Sequence, residues 1–140
     1  KVPVVYASQK NYSLAYNWKI KFNETGKIPA FYNLFSELNH NEMTGFDVVD
    51  ATKQLSEKFH FIFLKDESDH PQIQKRMEVT KKLYEQRGLK VEIVSLEGRS
   101  ALEEVFSSLL FADWASYYLA LFYGVEPEQV PMVEEFKKSV

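Results

Sequence analysis

The sequence contains no cysteine, and only five glycines and five prolines in 140 residues. Without thiols there is no disulfide framework, no thiolate nucleophile and no cysteine-based zinc site, and a reducing cytoplasm is the expected home. None of the glycines falls in a dinucleotide or P-loop spacing. A basic block is missing too: 17 Lys and Arg are interleaved with 20 Asp and Glu, for a formal charge of −3. Nucleic acid needs a dense basic stripe to neutralise phosphates, so that partner is not expected. The most apolar stretch, residues 102–122, is interrupted by Glu103, Glu104 and Asp113. It leaves no run of about 18 uncharged apolar residues, and no membrane span is expected.

What is present suits one globular domain: 45% of residues are hydrophobic and 26% charged. Residues 2–7 form a short continuous apolar run, the mark of a strand covered on both faces. A chain that opens directly on such a strand reads as part of something longer. Leu14, Ala15, Trp18 and Phe22 then recur at helical spacing over residues 12–22, ending near Gly26. Residues 27–47, with Pro29, Gly45 and Asn33, Asn39 and Asn41, read as a long irregular loop of the kind that carries function. A short helix is expected within 48–58. Strands are predicted at 59–64 and 91–96, with an amphipathic helix over 71–87 between them, stopped by Gly88.

Ser100, with Glu103 three residues on, caps a long helix that Gly124 ends, and a short helix follows over 131–138. The alternation predicts an α/β fold, a parallel sheet sandwiched by helices. The long helix is apolar around more of its girth than one sheet face needs. It is expected to lie partly in the core and partly against a second domain or subunit.

Two polar segments could carry chemistry: Asn23-Glu24-Thr25-Gly26-Lys27, and Glu37 through Glu42, which includes Asn39 and His40. Ligands in open α/β sheets sit beyond the C-terminal ends of the strands, and both segments are read as lying in such loops. A carboxylate, an imidazole and several amides suffice to move protons on a polar substrate. Taken alone, though, a glutamate at a helix end is ordinarily solvated, and a loop histidine between asparagines ordinarily structural. Asp66, Glu67, Asp69 and His70 match no metal-ligand spacing and read as an exposed acidic turn. His60 reads as a structural histidine at the edge of a strand.

Phe35-Ser36-Glu37-Leu38-Asn39-His40-Asn41-Glu42 with Gly45-Phe46 resembles the signature of bifunctional phosphoglucose/phosphomannose isomerases, within the sugar isomerase (SIS) domain superfamily. The resemblance extends upstream through Trp18-Lys19, Asn23-Glu24, Lys27 and Pro29-Ala30. Downstream it takes in residues 113–120, Tyr123-Gly124-Val125 and residues 130–134. It implies a three-layer α/β/α sandwich with a parallel, flavodoxin-like sheet, and corresponds to the second of two SIS domains. The first would hold the Ser/Thr-rich phosphate loop and an active-site arginine. No Ser-x-Ser-Gly-x-Thr stretch occurs here, and the arginines are only Arg76, Arg87 and Arg99.

The resemblance further implies an aldose–ketose isomerisation of glucose 6-phosphate, with mannose 6-phosphate as a second substrate, without metal or organic cofactor. Glu24 would shuttle the C1–C2 proton, His40 would open the sugar ring, and Lys137 (or Lys138 beside it) would meet the substrate oxygens. Asn23, Asn39 and Gln129 would bind substrate. The partners it implies are the sugar phosphate, the N-terminal SIS domain and a second copy whose site the histidine completes. Glu128-Gln129 departs from the usual Thr-Pro, which leaves the preferred epimer open. Three other readings stay on the table: a non-catalytic sugar-phosphate-binding SIS module, the isomerase half of an amidotransferase that makes glucosamine phosphate, and a purely structural dimerisation domain suggested by the long apolar helix.

Overall fold

The structure, a computed structural model, describes residues 1–140. Four parallel strands form its sheet: β1 (Val2–Ser8), β2 (Phe31–Phe35), β3 (Phe59–Lys65) and β4 (Lys90–Ser95), in the order β2-β1-β3-β4. Parallel neighbours need crossovers, and right-handed crossovers in opposite directions place their helices on opposite faces. The first crossover runs from β1 outward to β2 and carries α1 (Tyr12–Glu24); the later one, from β3 to β4, carries α4 (Pro71–Gln86). After β4 the chain returns to the α1 face as α5 (Ala101–Tyr123), and α6 (Pro131–Ser139) closes it. The result is the expected three-layer α/β/α sandwich.

Each face of the sheet has its own core. Tyr6, Phe35, Phe61, Phe63, Met77 and Tyr84 fill the α4 side, where the rings of Phe61 and Tyr84 meet at a tilt of 57° with centroids 4.6 Å apart. On the other side Val5, Ala7, Leu14, Trp18, Phe22 and Ala112 pack together. Trp18 is buried there, and its indole N–H donates to Ser108 Oγ at 2.9 Å, which locks α1 to α5. Burying such an N–H demands that partner.

The irregular-loop reading of residues 27–47 is corrected. Residues 31–35 form the edge strand β2, paired in parallel with β1 from Val4↔Phe31 to Ser8↔Phe35. Its alternation is hidden because the strand is short, faces solvent along one edge and carries Asn33 at its centre. Beyond it come a 3-10 turn (Glu37–Asn39), α2 (Glu42–Gly45) and α3 (Lys53–Ser56), the last all that forms of the helix expected within 48–58.

The helix α5 turns its small residues inward. Ser108, Ala112, Ser116 and Ala120 are its buried positions, four residues apart, while Phe106, Leu110, Trp114, Tyr118, Leu121 and Phe122 are exposed. By length and composition it is apolar enough to cross a bilayer, yet its Asp113 pairs with Lys21 of α1 at 2.6 Å. Gly124, at φ 68°, accepts the left-handed conformation that ends it.

Candidate active site

Glu24 closes α1, and α1 runs antiparallel to the strands, so Glu24 lies at the N-terminal edge of the sheet. The turn after it borders Lys1 and Val2 at the start of β1 and Lys58 before β3. This corrects the expectation that both polar segments lie beyond strand C-termini; only the His40 segment does. Asn23 Nδ2 donates to Ile28 O at 3.0 Å and holds that turn shut. Gly26 is required inside it, because a Cβ would stand 2.8 Å from Phe22 O. Lys27 follows at φ 55°, an uncommon conformation for a side-chain-bearing residue, and its ammonium donates to Glu24 O and Gln129 O.

That second bond joins opposite ends of the chain. Glu126 accepts from the backbone N–H groups of Glu128 (2.9 Å) and Gln129 (2.6 Å), which hold its carboxyl below the usual range and curl the 126–129 segment over the turn. An open cleft of about 470 Å³ results, lined by Asn23, Glu24, Lys27, Gln129, Val130 and Met132 among others. It combines a carboxylate, two amides and an ammonium over an apolar floor. Lys137, farther along α6, does not line it; that lysine is exposed and paired with Glu134 at 2.8 Å.

His40 is elsewhere. It follows β2, whose five residues span about 13 Å, and its segment packs on the α4 side of the sheet, with Leu38 fully buried in that core. Glu24 is carried on the opposite side. Within one copy the two cannot meet on one substrate. Asn39 also faces away from the Glu24 cleft: its amide donates to Thr80 Oγ1 at 2.9 Å and its carbonyl accepts from Arg76 at 3.4 Å.

The segment is pinned on both sides of His40. Asn41 Nδ2 donates to Glu37 Oε1 at 2.8 Å. Glu42 accepts from the Tyr6 hydroxyl on one oxygen and from the Asn33 amide on the other. The His40 side chain takes no part in these bonds and is exposed.

At the C-terminal edge, between β1 and β3, where open sheets of this topology bind ligands, the crevice is filled from within. Lys10 Nζ reaches Asp66 Oδ2 at 2.8 Å and also bonds Ser68 Oγ. Asn11 Nδ2 donates to Asp66 at 2.9 Å. Asp66 and Asp69 are 3% and 6% exposed, so the exposed acidic turn read from sequence is corrected. Lys10 and Asn11, more than fifty residues earlier, supply partners that local sequence does not reveal. His70 caps α4 by accepting from Gln72 N at 3.1 Å, and burial pushes the His60 imidazole down. No three of His, Asp and Glu converge as metal ligands.

Comparison with known proteins decides the family. The profile of the "Bacterial phospho-glucose isomerase C-terminal SIS domain" family matches residues 1–140. The chain belongs to that family. It is 37% identical over 139 residues to a bifunctional phosphoglucose/phosphomannose isomerase of Thermoplasma volcanium, covering 99% of this chain and 43% of the relative. To the enzyme of the same description from Aquifex aeolicus it is 33% identical, with 99% and 42% covered. The chain thus spans about two-fifths of the length of these relatives. Among solved structures, a glucose-6-phosphate isomerase like protein from Thermus thermophilus superposes with TM-score 0.73 at 19% identity, over 100% of this chain and 44% of that one. A glucosamine-6-phosphate deaminase from Thermotoga maritima superposes with TM-score 0.64 at 15% identity, over 93% and 38%, which extends the likeness of fold alone.

Proposed function

We propose that residues 1–140 are the C-terminal, base-bearing domain of an aldose–ketose isomerase. It interconverts glucose 6-phosphate, and mannose 6-phosphate, with fructose 6-phosphate through a cis-enediolate, in the cytoplasm. The observation that carries this reading is the Glu24 cleft, built by side chains from both ends of a chain whose family is that of phosphoglucose isomerase. In it Glu24 takes the proton from one carbon and returns it to its neighbour, while Asn23 and Gln129 orient the sugar hydroxyls. Lys137 or Lys138 offsets the enediolate charge. The Glu134 pair that holds Lys137 is exposed and weak, so exchanging it for substrate costs little.

His40 acts as the ring-opening acid/base in the cleft of a second copy, since its own Glu24 is out of reach. An imidazole suits both directions of that step near neutral pH. The phosphate is held by an N-terminal domain outside these residues, so residues 1–140 alone should turn over almost nothing.

The test uses the full-length protein, glucose 6-phosphate and mannose 6-phosphate, and exchange of the C2 proton with solvent. Glu24→Gln should lower both exchange and turnover by about 10²–10⁴-fold. His40→Ala should chiefly slow the cyclic sugar and spare an open-chain analogue. Wild-type exchange in Glu24→Gln removes Glu24 as the base. Sugar-phosphate binding without turnover by the wild-type protein would instead favour the non-catalytic module.

A further inference from the structure

Glu42 is a half-buried carboxylate that no lysine, arginine or histidine pairs with; its oxygens are both taken by neutral donors, the Tyr6 hydroxyl of β1 and the Asn33 amide of β2. A charge held that way is costly to desolvate, and an apolar side chain over the same aromatic core would stabilise the fold at least as well. What a carboxylate adds is direction. Its two oxygens tie the segment to two different strands and fix its rotation as well as its position.

The residues between β2 and α2 show what is being fixed. On the N-terminal side of His40, Leu38 is sunk in the core and Asn39 is bonded to Thr80. On the C-terminal side the side-chain tie to the sheet is Glu42. His40 stands between the two anchors, with its imidazole free and outward. A side chain that must meet a substrate held by another copy has to be aimed by its own backbone, because nothing around it corrects its direction.

We propose that Glu42 is a positioning residue for His40, acting through the Tyr6–Glu42–Asn33 linkage to orient the imidazole toward the second copy's cleft. This rests on the reading of His40 given above, and a double-mutant cycle in the full-length protein separates the two. Glu42→Gln leaves one acceptor oxygen for two donors. It should lower kcat on cyclic glucose 6-phosphate by about 10–100-fold, part of the range for a general acid/base, with KM little changed. Tyr6→Phe frees one of the two oxygens and fits the surrounding aromatic cluster; it should act in the same direction by about 3–10-fold. In a His40→Ala background both substitutions should cost less than about twofold, because there is no longer an imidazole to aim.

Equal losses in both backgrounds would mean that Glu42 serves the fold and would overturn the proposal. So would unchanged kcat in Glu42→Gln while His40→Ala remains costly. If His40→Ala is itself silent, the assignment of His40 falls and the positioning role falls with it, an outcome the cycle displays separately. Should Glu42→Gln fail to fold, Tyr6→Phe in the two backgrounds decides the matter alone.

Discussion

Asp66 accepts hydrogen bonds from Asn11, Lys10 and Ser68, whereas Asp69, three positions later, has an oxygen with no partner. Burial by itself would raise Asp66, but those bonds outweigh it and hold the carboxyl below the usual range. Burial does raise Asp69, with the Asp66 charge adding to it and Ser8 opposing. The two therefore pull stability in opposite directions with pH. A depressed carboxylate stabilises the fold above its unfolded value, about 3.9, and that stability is lost as pH falls through the folded value. A raised one costs stability at neutral pH, and protonation relieves it on the way down. Asp66→Asn should destabilise by about 1–3 kcal/mol at pH 7, since an amide leaves one acceptor oxygen for donors that used two, and by somewhat less near pH 3, the rest of the difference going only as pH falls further through the folded value. Asp69→Asn should be close to neutral or stabilising at pH 7. Thermal melts from pH 3 to 8 check both, and a pH-independent loss in Asp66→Asn would contradict the assignment. The sequence shows four titratable residues after a strand but not this division of labour, which Lys10 and Asn11 impose from across the crevice.

At the scale of elements, β1, β3, β4 and all three long helices are legible, because each carries a continuous run or a helical period with caps. Two features are not. The edge strand β2 is disguised by Asn33, whose amide serves Glu42 instead of solvent. The helix α5 is apolar all round, so periodicity cannot tell which side is inner. Close packing on α1 answers by size, taking the Ser108, Ala112, Ser116 and Ala120 stripe and leaving the large rings outside. Phe122 is 80% exposed and Phe106 66%, a patch far larger than scattered surface residues produce. On the proposed reading it is covered by the remainder of the protein or by a second copy. Residues 1–140 in isolation should therefore self-associate and bind an apolar dye. Phe106→Lys with Leu110→Glu should reduce both while leaving stability within about 0.5 kcal/mol, as for other exposed positions. Light scattering and dye fluorescence are the measurements, and a clean, dye-silent wild-type monomer at high concentration would remove the interface.

For the whole molecule, the decisive relation is between Glu24 and His40, which the sequence sets sixteen positions apart and the fold sends to opposite sides of the sheet. The family motif is what proposes them as a pair; their separation was not legible in the sequence, because it depends on β2 forming between them. If one catalytic centre uses both, it must take them from different chains. A two-fold dimer then has two centres, each pairing Glu24 of one copy with His40 of the other. A dimer of Glu24→Gln is defective at both centres, and so is one of His40→Ala. A mixed dimer is different: one centre carries both lesions and the other carries neither. Subunits exchanged at equal amounts form mixed dimers half of the time, and half of their centres are intact. Mixing two nearly inactive full-length variants under conditions that allow exchange should therefore restore about a quarter of wild-type turnover on the cyclic substrate. Activity that stays at the sum of the parents, with exchange verified by a tag on one subunit, would place both residues in the service of the same copy. That outcome would require the full-length protein to bring together what this fold places beyond opposite ends of β2 and on opposite faces of the sheet.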